Sequence, residues 1–597
     1  MMTDDQGYGD IGSHGNPWLK TPNLDKLAAK SVRLDDYHVS PYCVPSRAAL
    51  LTGRYADRTG IHNVLAPDWI ARGDEFMMST SFHNAGYAIG MFGKWHLGDN
   101  FPFGPEHRGF DHVLRHYGGA IGVLADYWDN CYVNDTYYEN GVPQKVKGYC
   151  TDVFFSAARQ FIDEAVAQDR PFFVYLPTNA PHGPRICPPP YAEPYRTRRT
   201  RSLATFYGMI ANIDENVGKL RAYLERKNLH RNTIFIFCTD NGTAGGQRLY
   251  NAGMRGNKGS SYDGGHRVPF FLHWPAGGFD KERRIETLTA HIDVFPTLLD
   301  LCGLERPQGV KLDGRSLRPL LEKGDHPEWP DRIIMTDSQK RELPTKWATT
   351  AVMSERWRLI EGTELYDIDA DPGQKNNVFD EHPQVVERLT RFYDALWDDL
   401  QPGFQNVPRI PLTAPGEETV PLNYHDCIGR HFGWFQNEMR QIRKRIDPPG
   451  SKRAGAFWPV EAVIGGEYRI ELRRWPAELD HPIHADLPPG DFVYNEKSHR
   501  STPGAGFPAV KAVLTIDDRQ LTATVNEQTK AAVLQAEAHL AAGPGRRRSH
   551  QPGRCARGRS CSLRGWPSYC WRAACPTRAR LPGRRGCRNS HRVPCSY

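Results

Sequence analysis

From about residue 21 to residue 304, short runs that are apolar throughout alternate with longer stretches of helical period. Residues 153–167 carry that period and lead to the apolar run 172–176; residues 216–229 repeat the pattern ahead of 233–238. A strand with no polar face must be covered on both sides, and a helix beside each such strand supplies the cover. The pattern therefore predicts an α/β fold with a mostly parallel central sheet flanked by helices. In such sheets ligands bind beyond the carboxyl ends of the strands. Polar clusters sit at those ends: Asn179 and His182 after one run, Asp240 and Asn241 after the other.

Beyond residue 320 the period changes. Residues 321–400 hold short strand candidates at 333–336, 357–360 and 365–368 and close on an amphipathic stretch over 383–400. This predicts a smaller α+β subdomain behind a first domain of residues 1–320. Prolines crowd the stretch from 401 to about 422, so residues 401–450 read as a linker. At 457–475 and 512–525 apolar and polar residues alternate, as on half-exposed antiparallel strands, and residues 451–540 are predicted to form an accessory β module. Residues 541–597 are Arg, Pro, Gly, Ser and Cys in no periodic order, which predicts a frame-shifted or disordered tail.

Charge changes the picture only once it is located. The chain of 597 residues has a net charge of +7, which by itself invites a nucleic-acid partner. Residues 541–597 hold 14 Arg and no Lys, Asp or Glu, so the preceding residues carry −7, and no nucleic-acid partner is expected. Six of the 13 cysteines also fall in that tail, and the other seven lack pair spacings, which argues against a disulfide framework or a zinc site. No apolar run approaches the length of a membrane span. Met1 and Met2 are followed at once by polar Thr3, Asp4 and Asp5, so no signal peptide is visible.

Three groups of residues carry chemistry. Cys43-Val44-Pro45-Ser46-Arg47 is followed by Leu51-Thr52-Gly53-Arg54. Positions 43 and 47 are one helical turn apart, so Arg47 is expected to face residue 43, and the segment opens a helix whose N-terminus favours an anion. Asp4-Asp5 and Asp240-Asn241 each end a strand-like segment and are followed closely by Gly7 and Gly242. Turned into one site, they offer four oxygen ligands and no His or Cys, which suits a hard cation such as Ca²⁺ or Mg²⁺. Lys94 and His96, after the strand-like run 88–92, are two apart, so on an extended backbone both point to one face. His182 and Lys258 fall in loops, at 179–184 and 256–260.

The Cys-x-Pro-Ser-Arg element with Leu-Thr-Gly-Arg downstream resembles the signature of the sulfatase family, the arylsulfatase-type, formylglycine-dependent branch of the alkaline phosphatase superfamily. The resemblance continues through residues 93–98, Gly109-Phe110-Asp111, residues 291–299 and Leu365-Tyr366-Asp367, in family order, and spans nearly all of residues 1–400. It implies an alkaline phosphatase-like fold and hydrolysis of sulfate esters to alcohol and inorganic sulfate through a covalent sulfo-enzyme intermediate. It also implies that a formylglycine-generating enzyme oxidises Cys43 to formylglycine. The hydrated aldehyde carries two hydroxyls on one carbon: one attacks sulfur, and the other, once deprotonated, expels sulfate, where a serine would keep a stable ester.

By the same resemblance, Lys94 and Lys258 hold the sulfate oxygens. Arg47 and His96 hydrogen-bond the hydrate, His96 acts as base in the elimination step, and His182 is the acid for the leaving oxygen. The cation becomes Ca²⁺ (Mg²⁺ second), bound by Asp4, Asp5, Asp240, Asn241 and an oxygen of residue 43. Asn241 and the Lys94-x-His96 element distinguish the chain from the phosphonate monoester and phosphodiester hydrolases of the superfamily, which pair Asp with His and lack Lys-x-His. A non-catalytic binder of sulfated glycans, or a damaged gene product, is the remaining alternative; against the first, every catalytic position that can be placed is intact. Family members begin with a full strand ahead of the Asp-Asp pair. Here three residues precede Asp4, so an upstream apolar extension is expected, together with a signal for export to the periplasm or the medium. The substrate is a sulfated small molecule or carbohydrate; loops 112–127 and 184–199, which would choose it, carry no identifying pattern.

Overall fold

The computed structural model describes residues 1–64, 69–325, 329–339, 344–413, 419–429, 434–440, 456–490, 493–495, 503–506, 508–516 and 519–538, and the backbone of 562–565 and 571–574. Two five-stranded sheets form the first domain. They join edge to edge: Met2 N donates to Leu176 O (3.0 Å) and Thr178 N donates to Met2 O (2.9 Å), a parallel bridge from strand Phe172–Tyr175 to strand Met2–Thr3. Across this seam His112–His116, Ala88–Lys94, Phe172–Tyr175, Met2–Thr3 and Phe235–Thr239 run parallel. The flanks are not parallel throughout. Thr136–Glu139 and Val142–Lys145 are antiparallel on one side, and Phe270–His273 is antiparallel to Phe235–Thr239 on the other. The sheet is therefore mixed around a parallel centre.

Alternation along the strands divides the apolar side chains between two cores. Ile89, Met91, Phe270 and Leu272 enter one cluster with Val44, Leu51, Phe295 and Leu298. Phe92, Phe237 and Phe271 enter the other with Phe154, Phe161, Ile213 and Leu220. Helices Cys43–Thr52 and Val294–Leu301 cover the first face; Cys150–Ala167 and Ala204–Arg226 cover the second. Each strand position faces a helix on one side or the other, which is why these strands read as apolar throughout.

Strands Ile334–Asp337, Thr350–Met353, Trp357–Ile360 and Glu364–Asp367 form an antiparallel sheet within residues 321–400, with Thr350–Met353 a strand the sequence pattern does not mark. Helix Pro383–Leu400 lies against it, and Leu389 and Tyr393 join the first core. The stretch read as a linker differs from expectation. Ile410–Leu412 pairs with Ala456–Ala462, and Thr419–Leu422 pairs with Trp571–Ala574. Ile410, Leu412, Val420 and Leu422 are buried, while Pro421 between its pair is exposed. A proline tolerated beside the ladder carries the same residue type that marks a linker, and composition does not separate the two cases.

In the accessory module, Gly466–Leu472 pairs with Ala532–Ala538, and Lys511–Ile516 pairs with Arg519–Thr524. Most of residues 541–597 lies outside the described residues. The backbone of Ser562–Gly565 and Trp571–Ala574 pairs as strands within the module.

Candidate active site

The site forms where the central parallel strands end. Strand Met2–Thr3 delivers Asp4 and Asp5, strand Phe235–Thr239 delivers Asp240 and Asn241, and strand Ala88–Lys94 ends on Lys94 itself. Asp5 N donates to Asp240 Oδ1 (3.2 Å), and Asn241 Nδ2 donates to Asp5 Oδ1 (3.0 Å), so the Asp4-Asp5 and Asp240-Asn241 pairs meet. Asp5 adopts φ +63°, a left-handed conformation that a non-glycine residue holds only when its surroundings insist. Tight packing lets the second pair turn: a Cβ on Gly242 would lie 2.0 Å from Gly264 O.

Lys94 Nζ forms an ion pair with Asp4 Oδ2, and Lys258 Nζ with Asp5 Oδ1. The fully buried Arg47 places Nε and Nη2 on Asp240 Oδ2 (3.1 and 2.7 Å) and Nη1 on Lys94 O (2.9 Å), with Asp4 Oδ2 at 3.6 Å. Asp240 engages the Arg47 fork and is its strongest charge partner, with residue 43 also within its field. Asp4, Asp5 and Asp240 balance Arg47, Lys94 and Lys258; all are buried except Lys258, which is partly exposed.

Cys43 opens helix Cys43–Thr52 and is 3% exposed, with Sγ 3.4 Å from His96 Nδ1. His96 arrives by a route the sequence does not announce. It has φ +62°, so the backbone after Lys94 is not extended and the alternation argument for the pair fails, yet both side chains reach the site. The His96 ring lies on backbone: a Cβ on Gly119 would be 2.4 Å from its Cε1. His182 Nδ1 meets Gly183 O at 2.7 Å, Nε2 lies 3.9 Å from Asp5 Oδ2, and Tyr132 Oη donates to the His182 carbonyl (3.0 Å).

Burial sets the protonation states, with charge partners opposing or reinforcing it. Burial lowers His96 well below the usual histidine range, and Lys94 and Arg47 push it further, so His96 is a neutral imidazole. Burial also lowers His182, to about 3, against the pull of Asp5. Burial raises Asp5, but Lys258 and then His182 outweigh it and leave the carboxylate well below its ordinary range. Asp240 is pushed up to about 6 by burial and by Asp4. Burial raises the Cys43 thiol, opposed by Lys94 and Lys258.

The residues fit a hard cation. Asp4 Oδ1 and Asn241 Oδ1 are buried without a hydrogen-bond partner among the described residues, an expensive state for oxygens that a cation would satisfy. Ligand atoms of Asp4, Asp5 and His182 also lie within 4.8 Å of one another. A cavity of about 780 Å³ opens at the other end of the same strands, lined by residues such as Leu50, Phe82, Ile162 and Leu298, and none of the candidate residues faces it.

Sequence reasoning missed the neighbours of His96. Trp69 lies 5.8 Å from its ring, and Trp69 Nε1 donates to His425 O (2.8 Å). His425 comes from the stretch read as a linker, 356 residues from Trp69, and no local pattern marks it.

The Sulfatase family model matches residues 1–304, and the model of the N-sulphoglucosamine sulphohydrolase C-terminal region matches residues 257–398. The chain belongs to the sulfatase family, with its alkaline phosphatase-like fold. It is 33% identical to the N-acetylgalactosamine-6-sulfatase of Mus musculus over 503 residues, covering 77% of this chain and 94% of that protein. To Arylsulfatase J of Mus musculus it is 28% identical, over 74% of this chain and 80% of that one. Among solved structures it resembles Ps i-CgsB in complex with k-i-k-neocarrahexaose, with a TM-score of 0.61 and 28% identity, covering 66% of this chain and 91% of that one. The protein is a sulfuric ester hydrolase. No helix among the described residues is long and apolar enough to cross a membrane.

Proposed function

We propose that the protein hydrolyses sulfate esters through formylglycine made from Cys43 by a formylglycine-generating enzyme. The observation that carries this reading is the placement of Cys43 Sγ at a helix N-terminus, 3.4 Å from a neutral His96 and within the field of Lys94 and Lys258. As a thiol, Cys43 is held protonated by burial and is a poor nucleophile. The hydrated aldehyde supplies what the thiol lacks, a hydroxyl to attack sulfur and a second hydroxyl whose deprotonation releases sulfate.

Around that group each side chain has a task. Lys94 and Lys258 give up part of their pairing with Asp4 and Asp5 to hold the sulfate oxygens, stabilising charge that grows in the transition state. His96, neutral and aimed at residue 43, takes the proton in the release step. His182 protonates the leaving oxygen; the negative charge of an arriving ester opposes the desolvation that keeps its imidazole neutral. Arg47 holds Asp240 in place. Asp4, Asp5, Asp240 and Asn241 would hold Ca²⁺ (Mg²⁺ second), with an oxygen of residue 43 as a further ligand. The cation would supply a fixed positive charge that orients and acidifies an oxygen bound to it.

The N-acetylgalactosamine-6-sulfatase similarity, and the hexasaccharide named with Ps i-CgsB, support a sulfated carbohydrate as substrate. The resemblance of the sequence to exported sulfatases supports a periplasmic or secreted location. The reading is tested with protein co-produced with the modifying enzyme. It predicts release of sulfate from a chromogenic aryl sulfate and from sulfated sugars, with none from Cys43→Ala. A phosphodiester hydrolysed far faster than any sulfate ester would overturn it in favour of phosphodiester chemistry.

A further inference from the structure

Basic side chains without counter-ions flank the His182 side of the site. Arg185, three residues past His182, donates to Ala244 O (2.9 Å), stands over the Phe206 ring (4.8 Å) and lies within the field of Asp5 and Arg248. Arg248 is exposed at the end of the turn Gly246–Arg248, a few residues beyond Asn241. Its neighbour Leu249 packs into a small apolar cluster with Leu19, Tyr195, Leu203 and Phe206, and Trp18 rests on the same cluster. Arg199 covers the Trp18 ring (5.1 Å), and Lys20, Arg198 and Arg201, near Trp18 or Arg199 in sequence, are exposed. One apolar floor therefore supports a basic strip that starts beside the proposed catalytic acid and leads outward.

Arg196 is paired with Glu193 (3.3 Å), whereas Lys20, Arg198, Arg199, Arg201 and Arg248 make no salt bridge among the described residues. Residues 1–540 carry a net charge of −7, so this strip opposes the overall charge of the body. Unpaired guanidinium groups repel one another, and they are matched by anions with paired oxygens such as sulfate and carboxylate.

We propose that this strip is an extended subsite for a polyanionic carbohydrate chain, binding sulfates or carboxylates on sugars beyond the one whose ester is cleaved. The assignment rests on the sulfatase reading for the reaction, and on the strip alone for the binding. A chain held there gains local concentration at the site, an effect that weakens as salt screens it.

The test replaces Arg198, Arg199 and Arg201 together by Gln, with the Lys triple variant alongside to keep the charge. Wild-type protein and the Lys variant should be retained on immobilised dextran sulfate and elute at clearly higher salt than the Gln variant. At low salt the Gln variant should lose about tenfold in kcat/KM on a multiply sulfated oligosaccharide, in line with electrostatic steering. Its rate on a chromogenic aryl monosulfate should be unchanged, which also shows that it folds. Equal elution and equal oligosaccharide rates for the wild type and the Gln variant would overturn the subsite. Retention on single-stranded DNA that depends on the strip, without retention on dextran sulfate, would overturn it in favour of a nucleic-acid surface. Strip-dependent binding of dextran sulfate by a protein that cleaves no sulfate ester would leave the binding site standing and refute the proposed reaction instead.

Discussion

In the Sulfatase domain, Asp4, Asp5, Arg47, Lys94 and Asp240 are at most 3% exposed and each is held by another charge. In the C-terminal module Trp458, Val460 and Leu514 are fully buried and strand residues such as Arg469 and Glu467 stand outward, while the buried Arg474 donates to the carbonyl of Ile483. The first region places ions where ions are costly, at the carboxyl ends of parallel strands. The second places apolar groups where they are stable. Damage in the first should remove chemistry, whereas damage in the second should remove stability. Near the site the module meets the first domain at a seam where His425 and Asp426 contact Trp69 and Asn100.

The largest effect is expected from Asp240→Ala. It leaves the fully buried Arg47 without its main partner and removes a proposed cation ligand. Activity should fall below detection, with a stability loss of about 3–5 kcal/mol typical of breaking one side of a buried pair. Rate assays and thermal melts check both. A chelator should likewise abolish wild-type activity and added Ca²⁺ restore it; reactivation by zinc alone would refute the oxygen-ligand site. Next, Lys94→Ala and Lys258→Ala should each lower kcat by about two to three orders of magnitude, the usual cost of one oxyanion-stabilising donor.

The opposite behaviour is expected in the module. Trp458 is fully buried and donates Nε1–H to Asn423 O (2.7 Å). Trp458→Ala should cost about 3–5 kcal/mol of stability and leave kcat unchanged below the melting transition. A fall in kcat would break the contrast between the regions.

The smallest effect concerns the seam. Asp426 is pushed up to about 8 by burial and by the charge of Asp99, against hydrogen bonds from Asn423 N and Asn100 Nδ2. The fold thus favours its protonated form. That stability is full below about pH 4, the ordinary carboxylate value, and is lost as pH rises to about 8. The wild-type Tm should fall across this window by a few degrees more than that of Asp426→Asn, which keeps an acceptor for both donors and carries no charge.

The contrast also explains what the sequence made legible. Local motifs marked the ten site residues because each lies in a short segment with its own glycine, proline or strand end. The parallel centre was legible because its strands are apolar on both faces. The antiparallel flanks were not, since pairing direction leaves no trace in composition. The strands at Ile410–Leu412 and Thr419–Leu422 were hidden by prolines. The alternation argument does not hold for His96, whose φ is +62°; its ring packs beside Gly119 and Trp69, neither of which is near it in sequence. His425 carried no local signal; only the docking of the module brings it to the site.

The central claim is that residue 43 acts as a formylglycine. Mass spectrometry of the tryptic peptide spanning residue 43, from protein with measured sulfatase activity, tests it most directly. The account predicts the mass of the aldehyde, a modified fraction that rises in step with specific activity, and a lower yield in Pro45→Ala and Arg47→Ala. Full activity from protein whose Cys43 carries the unmodified thiol would contradict it.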